Sequence, residues 1–225
     1  MVTMVKPQTS IYTDLTMDKQ DEITPRTKRI IYRQSLNILC VLAISLLVII
    51  SLRVDVLILH RDLGETSLTE TLQAIMLLAT TYNFFSLAQK IKQVRHAAIL
   101  IGGFFLVLFI REMDVWLDVV AHGSWVIPAI IVAISACFYA YRGGKNTVNE
   151  MATILAKPGM VMLVCATVLL LVFSRLYGMS SFWEHVMQDN YLRGVKNISE
   201  EAIELLSYSL IALGAFKTKY SMIRH

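Results

Sequence analysis

Stretches of mostly apolar residues recur along this chain at roughly 36–58, 67–89, 96–121, 125–141, 158–177 and 198–216. Each is near the ~20 residues that a helix rising ~1.5 Å per residue needs to cross a bilayer core. A water-soluble domain seldom combines 56% hydrophobic residues with only 17% charged ones. The expected fold is therefore an all-α integral membrane protein, a bundle of six transmembrane helices. Residues 1–33 read as a polar cytoplasmic tail and 34–220 as the transmembrane domain. The first 25 residues hold no apolar core, so no cleavable signal peptide is expected and the first span would act as an uncleaved anchor.

The basic residues fix an orientation. Fifteen of the 21 lysines and arginines fall in the N-terminus, the C-terminus and every second loop, among them Arg29, Lys90, Arg95, Arg142, Lys157 and Lys219. The positive-inside rule then puts both termini in the cytoplasm. Trp116, Trp125 and Trp183 all fall at the opposite boundary, as an aromatic belt does. The broad pattern resembles bacterial inner-membrane proteins, and the inner (plasma) membrane is the expected location. Because the basic residues are scattered over short loops, a nucleic-acid partner is not expected. Cys40, Cys137 and Cys165 each lie in an apolar run, which fits neither a disulfide framework nor a cysteine metal site.

Three local expectations follow. Residues 181–192 should form a short interfacial helix before the last span, with Ser181 and Glu184 at capping-box spacing. Ser67 with Glu70, and Asn197 with Glu200, have the same spacing. Gly102, Gly103 and Gly214 allow helices to approach closely.

Charge of the other sign gathers at the outward ends. Twelve of the 17 acids lie there, including Asp55, Glu70, Glu112, Asp114, Asp118, Glu200, Glu201 and Glu204. Six bases stand against them: Arg53, Arg61, Arg111, Arg175, Arg193 and Lys196. His60, His122 and His185 are on this side too. In the third span Arg111, Asp114, Asp118 and His122 share an arc of about 80° at ~100° per residue, one polar stripe on one helix, and Glu112 points elsewhere. In the sixth span Asn197, Glu200, Glu201, Glu204 and Tyr208 form a second stripe. Capping accounts for Glu200, but Glu204 lies two turns deeper and has no such explanation. Gln73 and Thr80 give the second span a polar face that must turn inward.

Carboxylates and a histidine converging from several helices are the ligand set of a hard or borderline divalent metal. Asp118 and His122, four residues apart, together with Glu204, are the expected ligands of a divalent metal such as zinc. Asp114, Arg111 and Glu201 are the expected catalytic groups around it. A metal at the lipid-facing outer leaflet points to hydrolysis of a lipid-type substrate. Hydrolases of the alkaline-ceramidase type, with an intramembrane zinc, are similar in general arrangement. This chain has no His-x-x-x-His pair, however, and no residue is carried across. The alternatives are a proton- or cation-coupled transporter using the same acids, or a non-catalytic membrane subunit. The chain contains no His-Glu-x-x-His, Gly-x-Ser-x-Gly or phosphate-loop motif.

Overall fold

A computed structural model describes residues 24–59, 67–119 and 121–224. Those residues are almost wholly helical and contain no strand. The helices are α1 (Pro25–Ile58), α2 (Leu68–Lys90), α3 (Arg95–Glu112), α4 (Asp114–Asp118), α5 (Val126–Gly143), α6 (Lys145–Leu155), α7 (Pro158–Tyr177), α8 (Ser180–Met187) and α9 (Arg193–Ile223). Four are long and apolar enough to cross a membrane: α1, the segment Lys92–Glu112 that contains α3, α5 and α7.

The chain divides into residues 1–42 and 43–225. In the first unit, Thr24 accepts a hydrogen bond from the Thr27 amide and Pro25 opens the helix, a position where a missing N–H costs nothing. The helix therefore starts inside the expected tail. The rest of that tail, residues 1–23, lies outside the described residues. From Ile30 to Leu42 the large apolar side chains are exposed, an arrangement suited to lipid rather than water.

Within residues 43–225, α2 packs on α3 and α9, α9 packs on α7, and α3 packs on α5. Two helices in this order, α2 and α9, are the expected spans that fall outside the four apolar helices. Their polar residues explain why. Gln73, Thr80, Thr81 and Ser86 of α2, and Glu204, Ser207, Ser209 and Thr218 of α9, are buried against neighbouring helices. A helix enclosed by others need not be apolar on every face. The inward turn expected of Gln73 and Thr80 is met, both being wholly buried.

Small residues set the closest approach. A Cβ on Gly159 would strike the Gly214 carbonyl, and one on Gly214 would come within 2.9 Å of the Gly159 carbonyl, so α7 and α9 cross there backbone to backbone. Gly103 sits against Ala136 of α5 and Gly102 against Phe85 of α2. The packing role expected of Gly102, Gly103 and Gly214 is thus seen. Gly144, at φ +52°, ends α5 in a conformation that L side chains rarely adopt.

Three local expectations need correction. The third span does not run on to residue 121. It stops at Glu112, Met113 leaves the helical geometry at ψ 17°, and α4 begins at Asp114. The sixth helix begins at Arg193, four residues before Asn197, so Asn197 lies inside it and caps nothing. A short helix, α8, is present where the interfacial one is expected, but it starts at Ser180 and has no side-chain cap, so Ser181 and Glu184 form no capping box. By contrast, the Ser67 hydroxyl accepts the Glu70 amide at 3.1 Å, as its spacing predicts. The three cysteines are free.

Candidate functional site

One end of the bundle formed by α2, α3, α7 and α9 brings together a set of carboxylates, each with a defined partner. Glu112, the last residue of α3 and off the expected stripe, meets Tyr208 of α9. One of its oxygens takes the Arg111 guanidinium at 2.8 Å and the Tyr208 hydroxyl of α9 at 3.0 Å. Arg111 is thus paired with its immediate neighbour and not with Asp114. Tyr208 is one of the largest fully buried side chains among the described residues.

One turn earlier on α9, Glu204 is also buried. It accepts from the Ser174 hydroxyl at 2.9 Å and from the Arg175 guanidinium at 3.2 Å. Both partners come from α7, where the segment Leu169–Ser174 winds as a π-helix. A π-turn shifts the face that the following residues present, and such turns recur at functional sites. Arg175 also reaches Glu200 at 3.7 Å, and Lys196 reaches Glu200 at 2.7 Å. Gly178 leaves the room: a Cβ there would lie 2.5 Å from the Glu200 carboxylate.

Glu201 is the exception. Its carboxylate meets the Gln73 side-chain amide at 2.7 Å, with no base beside it among the described residues. It lies within electrostatic reach of Glu204, Glu70 and Glu112. Gln73 is wholly buried, and its own carbonyl oxygen has no hydrogen-bond partner among the described residues. Such an orphan acceptor in a dry site is costly unless something donates to it.

The expected site residues are therefore split. Glu201, Glu204 and Arg111 belong to the cluster, together with Glu112, Tyr208, Gln73, Ser174 and Arg175. Asp118 and His122 do not. His122 is fully exposed, pairs with Asp118 across 3.1 Å, and Asp118 also accepts the Gly123 amide at 2.9 Å. Asp114 is half-buried, and one of its oxygens takes the adjacent Val115 amide at 2.7 Å. Among the described residues no three His, Cys, Asp or Glu side chains gather as metal ligands, so Asp118, His122 and Glu204 do not meet around one point. His60, Arg61, Asp62 and Glu65 lie outside the described residues.

Two further acids serve the fold. Asp55, wholly buried in the π-turn that ends α1, accepts the Leu68 and Thr69 amides at 2.8 and 2.9 Å and the Thr69 hydroxyl at 2.6 Å. It thereby satisfies the free donors at the start of α2. At the opposite ends of the helices, Glu150 of α6 does the same for α3. It accepts the Ala97 amide at 3.0 Å and pairs with His96 at 2.9 Å, while the His96 ring stacks on Tyr139. Lys90 and Lys219 share that end. Burial first, and the Lys90 ammonium second, hold the Lys219 ammonium below its usual value.

Glu112 and Gln73 are what sequence reasoning missed or underweighted. The 100° periodicity sets Glu112 apart from the Arg111–Asp114–Asp118–His122 stripe, and spacing within one helix does not say that the face it occupies meets Tyr208 of α9. Comparison with protein-family models, with the curated proteins and with the solved structures finds no match.

Proposed function

We propose that this chain is a six-span membrane protein with both termini cytoplasmic, whose buried outward cluster takes up and releases a proton or another cation. The supporting observation is a count of partners. Four carboxylates, Glu112, Glu200, Glu201 and Glu204, share three bases, Arg111, Arg175 and Lys196. In a low-dielectric interior an uncompensated carboxylate acquires a proton or a counter-cation. Glu201 is that carboxylate, because it faces an amide where its neighbours face cations.

Gln73 suits the task. An amide can present either its NH2 or its oxygen to a partner, so it can answer a carboxylate in one orientation and a carboxylic acid in the other. The unpartnered Gln73 oxygen is the group that a protonated Glu201 can donate to once the amide turns over. Tyr208, Ser174, Arg111 and Arg175 hold the other acids in place, which leaves the exchangeable charge on one residue.

The geometry favours this reading over a metal-dependent hydrolase of lipid-type substrates. The histidine expected as a ligand is exposed beside Asp118, while Glu204 already has Ser174 and Arg175.

Infrared difference spectroscopy across a pH titration of the purified protein in lipid tests the proposal. A carboxyl band that grows as pH falls is expected from wild type and should be missing from Glu201→Gln. If the two proteins give the same difference spectrum, Glu201 is not the exchanging group and the proposal fails.

A further inference from the structure

A cleft of about 570 Å³ opens between the outer ends of α2 and α3 and the start of α4. That volume is in the range of sites for small organic molecules. Arg111, Glu112, Asp114 and Glu70 contribute its polar lining. Ile75, Leu78, Phe109 and Trp116 contribute much of the apolar part. Arg111 and Glu112 neutralise each other at 2.8 Å. Asp114 has only the neighbouring Val115 amide and no base within ion-pair distance among the described residues. The cleft thus offers an uncompensated carboxylate beside two aromatic residues, one of which, Trp116, is 63% exposed. A carboxylate plus aromatic faces recognises a cation with an apolar body, and an anion would meet repulsion there.

The cleft and the buried cluster share a wall. The Glu112 oxygen that holds Arg111 also receives the Tyr208 hydroxyl, and Glu112 is within electrostatic reach of Glu201. A positive charge entering the cleft therefore acts on the same negative field that holds a proton inside. Two cations that answer one negative site compete, and the competition is reciprocal.

We propose that the cleft binds a monovalent organic cation with an apolar body, seated between Asp114 and the Phe109 and Trp116 rings, and that its entry releases the proton of the Glu201 cluster to solvent. The coupling half of this rests on the proton reading given above; the binding half does not. One positive charge enters as one leaves, so the cluster keeps its net charge.

The test uses the full chain in lipid nanodiscs, with tetraphenylphosphonium as the probe and tetraphenylborate as its anionic counterpart. Equilibrium dialysis should show saturable binding of the phosphonium and only lipid partitioning of the borate. Asp114→Asn and Trp116→Ala should each weaken phosphonium binding about tenfold or more, the loss of one charge-assisted or cation–π contact. Asp114→Glu should restore most of it. In weakly buffered medium, wild type should release about one proton per phosphonium bound, and Glu201→Gln should bind without release. Equal binding of the two probes, or phosphonium binding indifferent to both substitutions, overturns the cleft while leaving the infrared titration of Glu201 intact. Wild-type binding with no proton released overturns the coupling and counts against the proton reading as well.

Discussion

The Tyr208 hydroxyl donates to the Glu112 carboxylate at 3.0 Å, joining α9 to the last residue of α3 across 96 positions of sequence. That oxygen is also the one bound by Arg111. A single carboxylate therefore anchors a half-exposed guanidinium on its own helix and a buried phenol on another. Removing it should cost more than removing either partner's bond alone.

Glu112→Ala should destabilise the protein by about 2–4 kcal/mol, because it leaves Arg111 without its counter-charge and the buried Tyr208 hydroxyl without an acceptor. Tyr208→Phe, which removes one donor and leaves the ion pair, should cost about 1 kcal/mol. Denaturant titration in a fixed detergent gives both values. Equal losses would mean that the Arg111–Glu112 pair contributes nothing.

Asp55 tests a different kind of contact. Asp55→Ala strips three donors of their acceptor at the start of α2 and should cost about 3 kcal/mol or more. Asp55→Asn keeps one acceptor oxygen and should cost less. The order of the two melting temperatures is the measurement, and a reversed order would remove Asp55 from its role at that helix start.

The crossing of α7 and α9 depends on the absence of side chains. Gly159→Leu and Gly214→Leu should each lower the melting temperature sharply, since the opposing atoms are backbone and cannot swing aside. Gly123→Ala, where nothing lies within 4 Å of an added Cβ but φ is +80°, should show only the smaller cost of a strained turn.

Metal analysis of wild type purified without chelator should find no stoichiometric divalent ion, and added zinc or calcium should leave the melting temperature unchanged. His122→Ala should leave stability unchanged too, its ring being fully exposed. One bound zinc per chain, lost together with Glu204→Gln, would restore the hydrolase reading.

Reporter fusions at Gly143 and at residue 225 should both read cytoplasmic, and one at Gly123 external. An external reading at residue 225 would contradict six spans with both termini inside.

Much of the architecture was legible along the chain. Helix crossing length is a one-dimensional property, so apolar runs located the helices, including α2 and α9 with their buried polar residues. Ser67 could be read as a cap because capping joins residues three apart. The small residues at 102, 103 and 214 could be read as contacts because only side-chain size is involved. Gln73 and Thr80 could be read as inward-facing because lipid excludes them. The partners of the acids could not be read this way. Periodicity places a side chain on a face of its own helix and carries no information about which helix lies opposite. The break at Met113 interrupts the helix on which the Arg111–Asp114–Asp118 stripe depends, and no residue type at 113 announces it; the approach of Tyr208 from α9 gave Glu112 its partner. Docking of α2 on α9 gave Glu201 an amide rather than a base, and the π-turn in α7 gave Glu204 both Ser174 and Arg175. The sequence alone determined that acids collect at one end of a helical bundle, because charge and hydropathy sum along the chain. Only the tertiary structure decided which acid faces an amide where its neighbours face bases, because that depends on distances between helices that touch only after they pack.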